Sequence, residues 1–363
     1  VDVAIAGAGM FGLATALTFA ENGAHVVLFD RWGVANARAT SNDHTRVWRT
    51  AYGPKRLYSR WARESLEVWK RWEAECGEQL FQQTGVLWLE GDDPEFASAT
   101  RAALDALGIP YESLAAGRAA SRFPQFSGIE DRRALWEPLA GVLFARRACL
   151  AIARLFERRG GKIETAGVAS FSGRRMILED GRDISADKYV FACGPWLRDI
   201  FPSLLGGRIR VTRQEVFYFE PPAPDNFGPG EFPVWLEEGR RAGKEFSYYG
   251  MPTLDGRVKL ASDERGPEFD PTSGDRTTSP ESLAQARDFL TRRLPALAPQ
   301  RLIDSRVCQY EQTIDSHLIV DRHPDWENVW IAGGGSGHGF KLAPAVANAL
   351  LREETPDEVR LKR

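Results

Sequence analysis

Apolar residues in this chain fall into short runs punctuated by glycine turns, and the opening run sets the pattern. Val3 to Ala6 is a four-residue apolar stretch of buried-strand character. Beyond Gly9 the apolar positions change to helical spacing through Leu13, Leu17 and Ala20, and Asn22-Gly23 ends that helix. "HVVLF" then predicts a second strand, closing on Asp30. Two later segments, "ADKYVFACGPW" from Ala186 and "ENVWIAGGGSGHGFKLAPAVANAL" from Glu327, repeat the run from strand into small-residue turn. The second continues into a helix with Pro344 in its first turn. Between them the pattern becomes alternating or aromatic. "TGVLWLEG", "RQEVFYFE", "FSYYGMP" and "RVKLAS" predict strands, with Asp255-Gly256 as a hairpin turn and residues 221–233 as a surface loop. "SRVCQYEQ" (305–312) sets Cys308 in an otherwise polar, strand-like stretch.

The first segment carries the most specific motif. Gly7, Gly9 and Gly12 satisfy G-x-G-x-x-G between a strand and a helix, and Asp30 ends the next strand. Gly7 permits the tight turn, Gly9 lets a pyrophosphate approach the backbone, and Gly12 lets helix and strand pack closely. The helix N-terminus offers N–H groups and positive potential, and Asp30 can accept from both adenosine ribose hydroxyls. The motif predicts a dinucleotide site and does not separate NAD from FAD. Three glycine turns of this kind, at the start, middle and end, imply one nucleotide lobe assembled from discontinuous pieces and disfavour an NAD enzyme. The chain between them builds a second lobe.

Composition narrows the class. At 363 residues two lobes are the natural expectation, and 43% hydrophobic with 27% charged residues describes an ordinary globular protein. A net charge of −3 gives no nucleic-acid footprint. Cys76, Cys149, Cys193 and Cys308 are far apart, without metal-ligand or disulfide-framework spacing, which fits a reducing compartment. No apolar run approaches the roughly 20 residues that span a bilayer, and no signal-like region opens the sequence, so a cytoplasmic location is expected. The tail "REETPDEVRLKR" reads as a solvated end.

The segment "CQYEQTIDSHLIVDRHPDWENVWIAGGGSGHGFKLAP" resembles the monomeric sarcosine oxidase and N-methyltryptophan oxidase family, within the D-amino-acid-oxidase-like flavoproteins. "TRVWRTAYG", "TGVLWLEG", "EPLAGVLF", "ADKYVFACGPW" and "YYGMP…VKL" extend the resemblance over nearly the whole chain in order. It implies an α/β (α+β) two-lobed flavoprotein: a Rossmann-like FAD-binding lobe, residues 1–80, 139–207 and 316–363, and a substrate lobe with a large, mainly antiparallel sheet, residues 81–138 and 208–315. A monomer is expected. The implied reaction is oxidation of an amino-acid-like secondary, N-alkyl or cyclic amine. A hydride equivalent passes to flavin N5, an imine forms, and O2 becomes hydrogen peroxide. A flavin dehydrogenase with another acceptor, or a biosynthetic imine-forming enzyme, stays open.

The resemblance also assigns residues. Cys308, followed by Gln309-Tyr310, matches the cysteine joined to the flavin, so covalent FAD is expected; taken alone, Cys308 would be a small buried hydrophobe. Arg31, Gly335, Gly337, His338, Gly339 and Lys341 join Gly7, Gly9, Gly12 and Asp30 as cofactor-binding candidates. Lys259 matches the lysine near flavin N5 that promotes reaction with oxygen, and Arg46 supports the flavin. Arg49 and Lys341 hold the substrate carboxylate as an arginine fork and a point charge. Tyr249 and Tyr310 are cavity-wall candidates, and His338 is expected to face the cofactor. His317 and Asp315 are read as loop residues, and His44 has no partner that the sequence names. Two departures matter. "TSNDHTR" replaces a smaller, glycine-containing run, so Asp43 and His44 are expected to alter packing around the flavin phosphates. Asp263 stands where sarcosine oxidases carry a histidine, and a carboxylate there favours a bulkier or basic substrate.

Overall fold

The computed structural model describes residues 1–361 except 92, 223 and 242–243. One position of the expected loop 221–233 and the last two of the tail therefore lie outside the described residues. Two large sheets organise the chain. The first has six strands in the order 319–323, 326–333, 188–191, 3–6, 26–30, 162–165, all parallel except the first, which runs antiparallel to its neighbour. Alternation along each strand decides what it packs against. Val3 and Ile5, Val190, and Trp330 and Ala332 join the core under the helices Met10–Glu21, Arg56–Cys76, Ala145–Arg158 and Ala343–Arg352. Ala4 and Ala6, Tyr189 and Phe191, and Val329 and Ile331 face the other way, onto a three-stranded antiparallel sheet at 168–184 and the short helices at 197–205. Each large apolar side chain so buried contributes about 1.5–3 kcal/mol.

The second sheet has eight strands in the order 302–313, 209–219, 257–262, 244–254, 234–241, 86–89, 134–137, 112–114. Its pairs are antiparallel except 234–241 with 86–89. Asp255 and Gly256 both take positive φ in the expected hairpin. One face, with Phe217, Phe219, Val258 and Leu260, packs on the helix Pro280–Arg293. Val216, Tyr218 and Ala261 look the opposite way, beside Tyr249 and Cys308. Lys259, between Val258 and Leu260, belongs to that second face. A second small sheet pairs Arg46–Trp48 and Phe81–Gln83 with Gly141–Leu143 and so positions Arg46.

The 56–76 helix, unremarked in the sequence reading, has a clear cause. Leu57, Trp61, Ser65, Trp69 and Trp72 recur at i, i+4 or i+3 and are buried, and Gly77 closes the helix at φ 70°. The tail is corrected in part: Val359 is fully buried, and the Leu361 N–H donates to Asp321 at 2.9 Å. No helix among the described residues is long and apolar enough to cross a membrane.

Candidate active site

A cleft runs over the C-terminal ends of the parallel strands, lined by Gly7, Gly9, Asp30, Arg31, Gly335, Gly337 and Gly339. The turn after the first strand is built as its sequence requires. Gly7 has φ +100°, and a Cβ there would stand 2.4 Å from the Ala192 carbonyl; one on Gly12 would stand 1.8 Å from the Gly7 carbonyl. Gly9 differs. A Cβ there would meet only Ser41 Oγ, at 3.6 Å, so protein does not fill the space above it. Thr40 Oγ1 and Glu311 Oε2 are buried polar atoms without hydrogen-bond partners among the described residues, and both residues line this cleft together with Ser41. Open space over the glycine turn together with orphaned donors and acceptors fits a phosphate-bearing cofactor such as FAD. Asp30 accepts from the Ala8 N–H at 2.8 Å and the Trp32 N–H at 2.9 Å, which fixes its carboxylate at the mouth of the turn. Arg31 pairs with Glu179 and lies over the Trp32 ring.

A second cavity lies on the open face of the eight-stranded sheet, where Cys308, Tyr310, Tyr249 and Asp263 meet Arg46, Arg49, His338 and Lys341. Register explains the first group. Cys308 and Tyr310 are two apart on one strand, opposite Gln214 and Thr212, while Ala261 pairs with both Val216 and Tyr249. Arg49 comes from the segment after the 46–48 strand. The buried Glu137 carboxylate pins that segment, accepting from the Thr50 N–H at 2.7 Å and the Ala51 N–H at 3.2 Å. The Arg49 guanidinium lies 4.5 Å from the Tyr52 ring centroid and 4.7 Å from that of Trp88. Lys341, in the short turn Phe340–Leu342, lies 5.2 Å from the Tyr52 ring and donates to the His338 carbonyl at 3.2 Å. Neither cation forms an ion pair among the described residues. Burial, with Arg49 nearby, draws the Lys341 pKa well down.

Asp263 accepts a hydrogen bond from the Tyr310 hydroxyl at 2.9 Å and lies 3.7 Å from Arg265. His338 lines this cavity and is absent from the lining of the nucleotide cleft. Its Nε2 is 3.0 Å from the Ser316 carbonyl, its ring packs edge-on to Tyr52 and Tyr58, and its Nδ1 is buried without a partner among the described residues. Burial, reinforced by Lys341, pulls its pKa to about 3, so the ring is neutral and Nδ1 is an acceptor. His317 meets the Tyr58 hydroxyl at 2.9 Å, as a loop-holding residue would.

Asp43 is the residue that sequence reasoning misplaced. Instead of lying in the nucleotide cleft, it lines the second cavity, where its carboxylate is 1% exposed. It accepts from Lys259 Nζ at 2.6 Å, Arg46 Nη1 at 2.7 Å and its neighbour's N–H at 2.7 Å, and also from the Tyr218 hydroxyl. Burial works against its charge, but Lys259 and Arg46 outweigh burial and hold the carboxyl far below its ordinary range. Lys259 is 2% exposed and also donates to the Thr45 carbonyl at 3.0 Å. It is therefore no strand-edge lysine in water. His44, partnerless in the sequence, sits 2.6 Å from Arg306 and 3.1 Å from Arg257. Burial pushes the Cys308 thiol up and Asp43 adds to this, while Arg46 and Lys259 pull it back.

Known proteins align with the chain over nearly its full length. The monomeric sarcosine oxidase of Bacillus sp. (strain B-0618) is 31% identical over 358 residues, covering 96% of this chain and 90% of that protein. The N-methyl-L-tryptophan oxidase of Yersinia pestis (strain Pestoides F) is 25% identical over 367 residues, covering 99% and 96%. Among solved structures, L-proline dehydrogenase from P. horikoshii matches with a TM-score of 0.83 at 24% identity, over 99% of this chain and 95% of that one, a likeness of fold. The family model for FAD dependent oxidoreductases (DAO) matches residues 2–352, and the chain belongs to that family.

Proposed function

We propose that this FAD-dependent oxidoreductase oxidises the C–N bond of a secondary, N-alkyl or cyclic amino acid to an imine, with O2 taking both electrons and leaving as hydrogen peroxide. The observation that carries the reading is the Arg49–Lys341 pair: two basic side chains beside the Tyr52 ring, neither in an ion pair among the described residues, on the wall of the cavity that also holds Cys308 and Tyr310. A bound carboxylate would favour the charged form of Lys341, which burial and Arg49 otherwise oppose, and an arginine fork beside a lysine suits a carboxylate. Bound FAD supplies hydride acceptance and electron transfer. The same cations disfavour an ammonium close by, so they help present the substrate nitrogen unprotonated, and activity is expected to rise with pH until another group titrates. The names of the relatives, oxidases of sarcosine and of N-methyl-L-tryptophan, support an N-alkyl amino acid, and "monomeric" in the first supports a single-chain enzyme. The strands of the two large sheets support a nucleotide lobe of residues 1–80, 139–207 and 316–363 and a substrate lobe of the remainder.

Asp263 refines the substrate class. With one oxygen taken by Tyr310, it favours a hydrogen-bond donor or cation on the part of the substrate away from the carboxylate. Peroxide release screened over N-methyl, cyclic and cationic amino acids tests this. Asp263→Asn is expected to raise KM for a cationic substrate roughly tenfold or more and leave a neutral one little changed. Sarcosine emerging as the clear best substrate would refute the refinement.

Cys308 is the proposed covalent anchor of FAD. It lines the substrate cavity, where burial and then Asp43 push its thiol pKa up while Arg46 and Lys259 pull it part of the way back toward the thiolate that a bond to the flavin needs. After acid precipitation the yellow is expected to stay in the protein pellet, and Cys308→Ser is expected to release it. Complete release from the unaltered protein rules the bond out. One observation favours a second reading. The carboxylate already balancing Lys259 weakens its field on developing superoxide, as suits a dehydrogenase with a protein or quinone acceptor. One peroxide per turnover decides for the oxidase.

A further inference from the structure

Glu311 is the buried carboxyl that none of these roles uses. It follows Tyr310 on the strand Leu302–Thr313 and is 5% exposed. Its Oε1 accepts the Gly335 N–H at 3.0 Å, and its carbonyl accepts the Ser336 N–H at 3.1 Å, so both ends hold the last glycine loop. Oε2 has no partner. A Cβ built on Gly194 or on Gly333 would stand 3.5 or 3.6 Å from that oxygen, which places it between the turns after the 188–191 and 326–333 strands. Those turns, with Gly7 and Gly9, line the nucleotide cleft. Burial moves the pKa up to about 7 against the pull of the Gly335 and Gly334 N–H groups. The ionisable neighbour that shares its surroundings is the Cys193 thiol; Asp30, Arg31 and Arg46 line the same cleft, and no cation pairs with Glu311 among the described residues.

A carboxylate with an orphaned oxygen, facing a cleft that receives a phosphate-bearing cofactor, is opposed by both desolvation and repulsion. A neutral carboxyl in the same place has an O–H to give. We propose that Glu311 is a cofactor-binding residue that acts in its protonated form, Oε2–H donating a hydrogen bond to an oxygen of bound FAD. The proposal rests on FAD as the cofactor, which family membership supplies, and is independent of the amine substrate. The linkage sign follows. Only the protonated form makes the bond, so affinity is level below the pKa of the free protein's carboxyl and falls above it, the apparent Kd rising by up to about tenfold per pH unit until the raised pKa of the FAD-bound carboxyl is passed.

The test uses a Cys308→Ser background, in which FAD exchanges whether or not the native protein holds it covalently. FAD dissociation is followed by flavin fluorescence from about pH 6 to about pH 9. With Glu311 the Kd is expected to climb above about pH 7. Glu311→Gln, whose amide donates at every pH, is expected to bind FAD with a flat profile. A flat profile with Glu311 present, or a climb that survives Glu311→Gln, overturns the proposal. Should the glutamine variant fail to fold, infrared spectroscopy of the FAD-bound protein with labelled glutamate replaces it. A protonated-carboxyl band that outlasts the free protein's as pH rises supports the assignment, and its absence rejects it.

Discussion

Lys259→Met is expected to slow reoxidation of the reduced enzyme by O2 by about 100- to 1,000-fold while leaving anaerobic reduction by substrate nearly unchanged. The lysine lies on the same face of the 257–262 strand as Ala261, 5.6 Å from the Tyr249 ring; it is outside the cavity lining itself but is held by Asp43, which is part of that lining, and by the Thr45 carbonyl. On the proposed reading, a cation fixed there would stabilise negative charge that appears only in the oxygen half-reaction, whereas Arg49 and Lys341 would hold the substrate carboxylate. The structure also makes the variant a clean one. When Lys259 is removed, Asp43 keeps Arg46, the Tyr218 hydroxyl and the His44 N–H, so its charge is not stranded. Methionine fills a similar volume without adding a buried polar group. Stopped-flow measurement of each half-reaction decides. Equal slowing of both would mean that the lysine positions the site as a whole, and unchanged reoxidation would favour the non-oxygen acceptor.

What could be read in the sequence was what is local or periodic. Gly7, Gly9 and Gly12 act within one turn, so their spacing carries the geometry, and Asp30 follows from the length of the intervening helix. Period two places Cys308 with Tyr310 on one face and Lys259 away from Val258 and Leu260. Arg49 and Lys341 came only through resemblance, since nothing in "TRVWR" or "HGFKL" says that the two side chains flank one tyrosine. Asp43 was harder still. Its partner Lys259 is 216 residues away, and the contact depends on how the 43–49 segment lies against the large sheet. Glu311 looked like one polar residue in a polar strand. Its burial comes from two glycine turns closing over it, and no pattern along the strand encodes that. The weak point of sequence reading here is the ionisable residue whose charge state is set by a distant element.

Asp43→Ala is expected to lower the stability of the fold by about 3–5 kcal/mol, the largest effect of any single change at the site. The carboxylate compensates two cations, and its deletion leaves Lys259, 2% exposed, and Arg46 facing each other without an anion. Urea denaturation of the two proteins measures the loss. Because the pKa is depressed in the fold, the stability Asp43 contributes is complete above the ordinary carboxylate value of 3.8 and is lost as pH falls through the depressed one. The variant is thus expected to lose stability at neutral pH, and the gap between the two proteins should narrow in acid. Asp43→Asn separates charge from shape. The amide can still accept from Lys259 or Tyr218 yet offers no negative charge to either cation. If electrostatic compensation is the main term, the asparagine variant is nearly as unstable as alanine. If it recovers most of the loss, hydrogen-bond geometry is what the carboxylate contributes, and Lys259 is then already close to neutral in the folded protein. In that case the lysine cannot stabilise superoxide through a fixed charge, so this variant also bears on which acceptor takes the electrons.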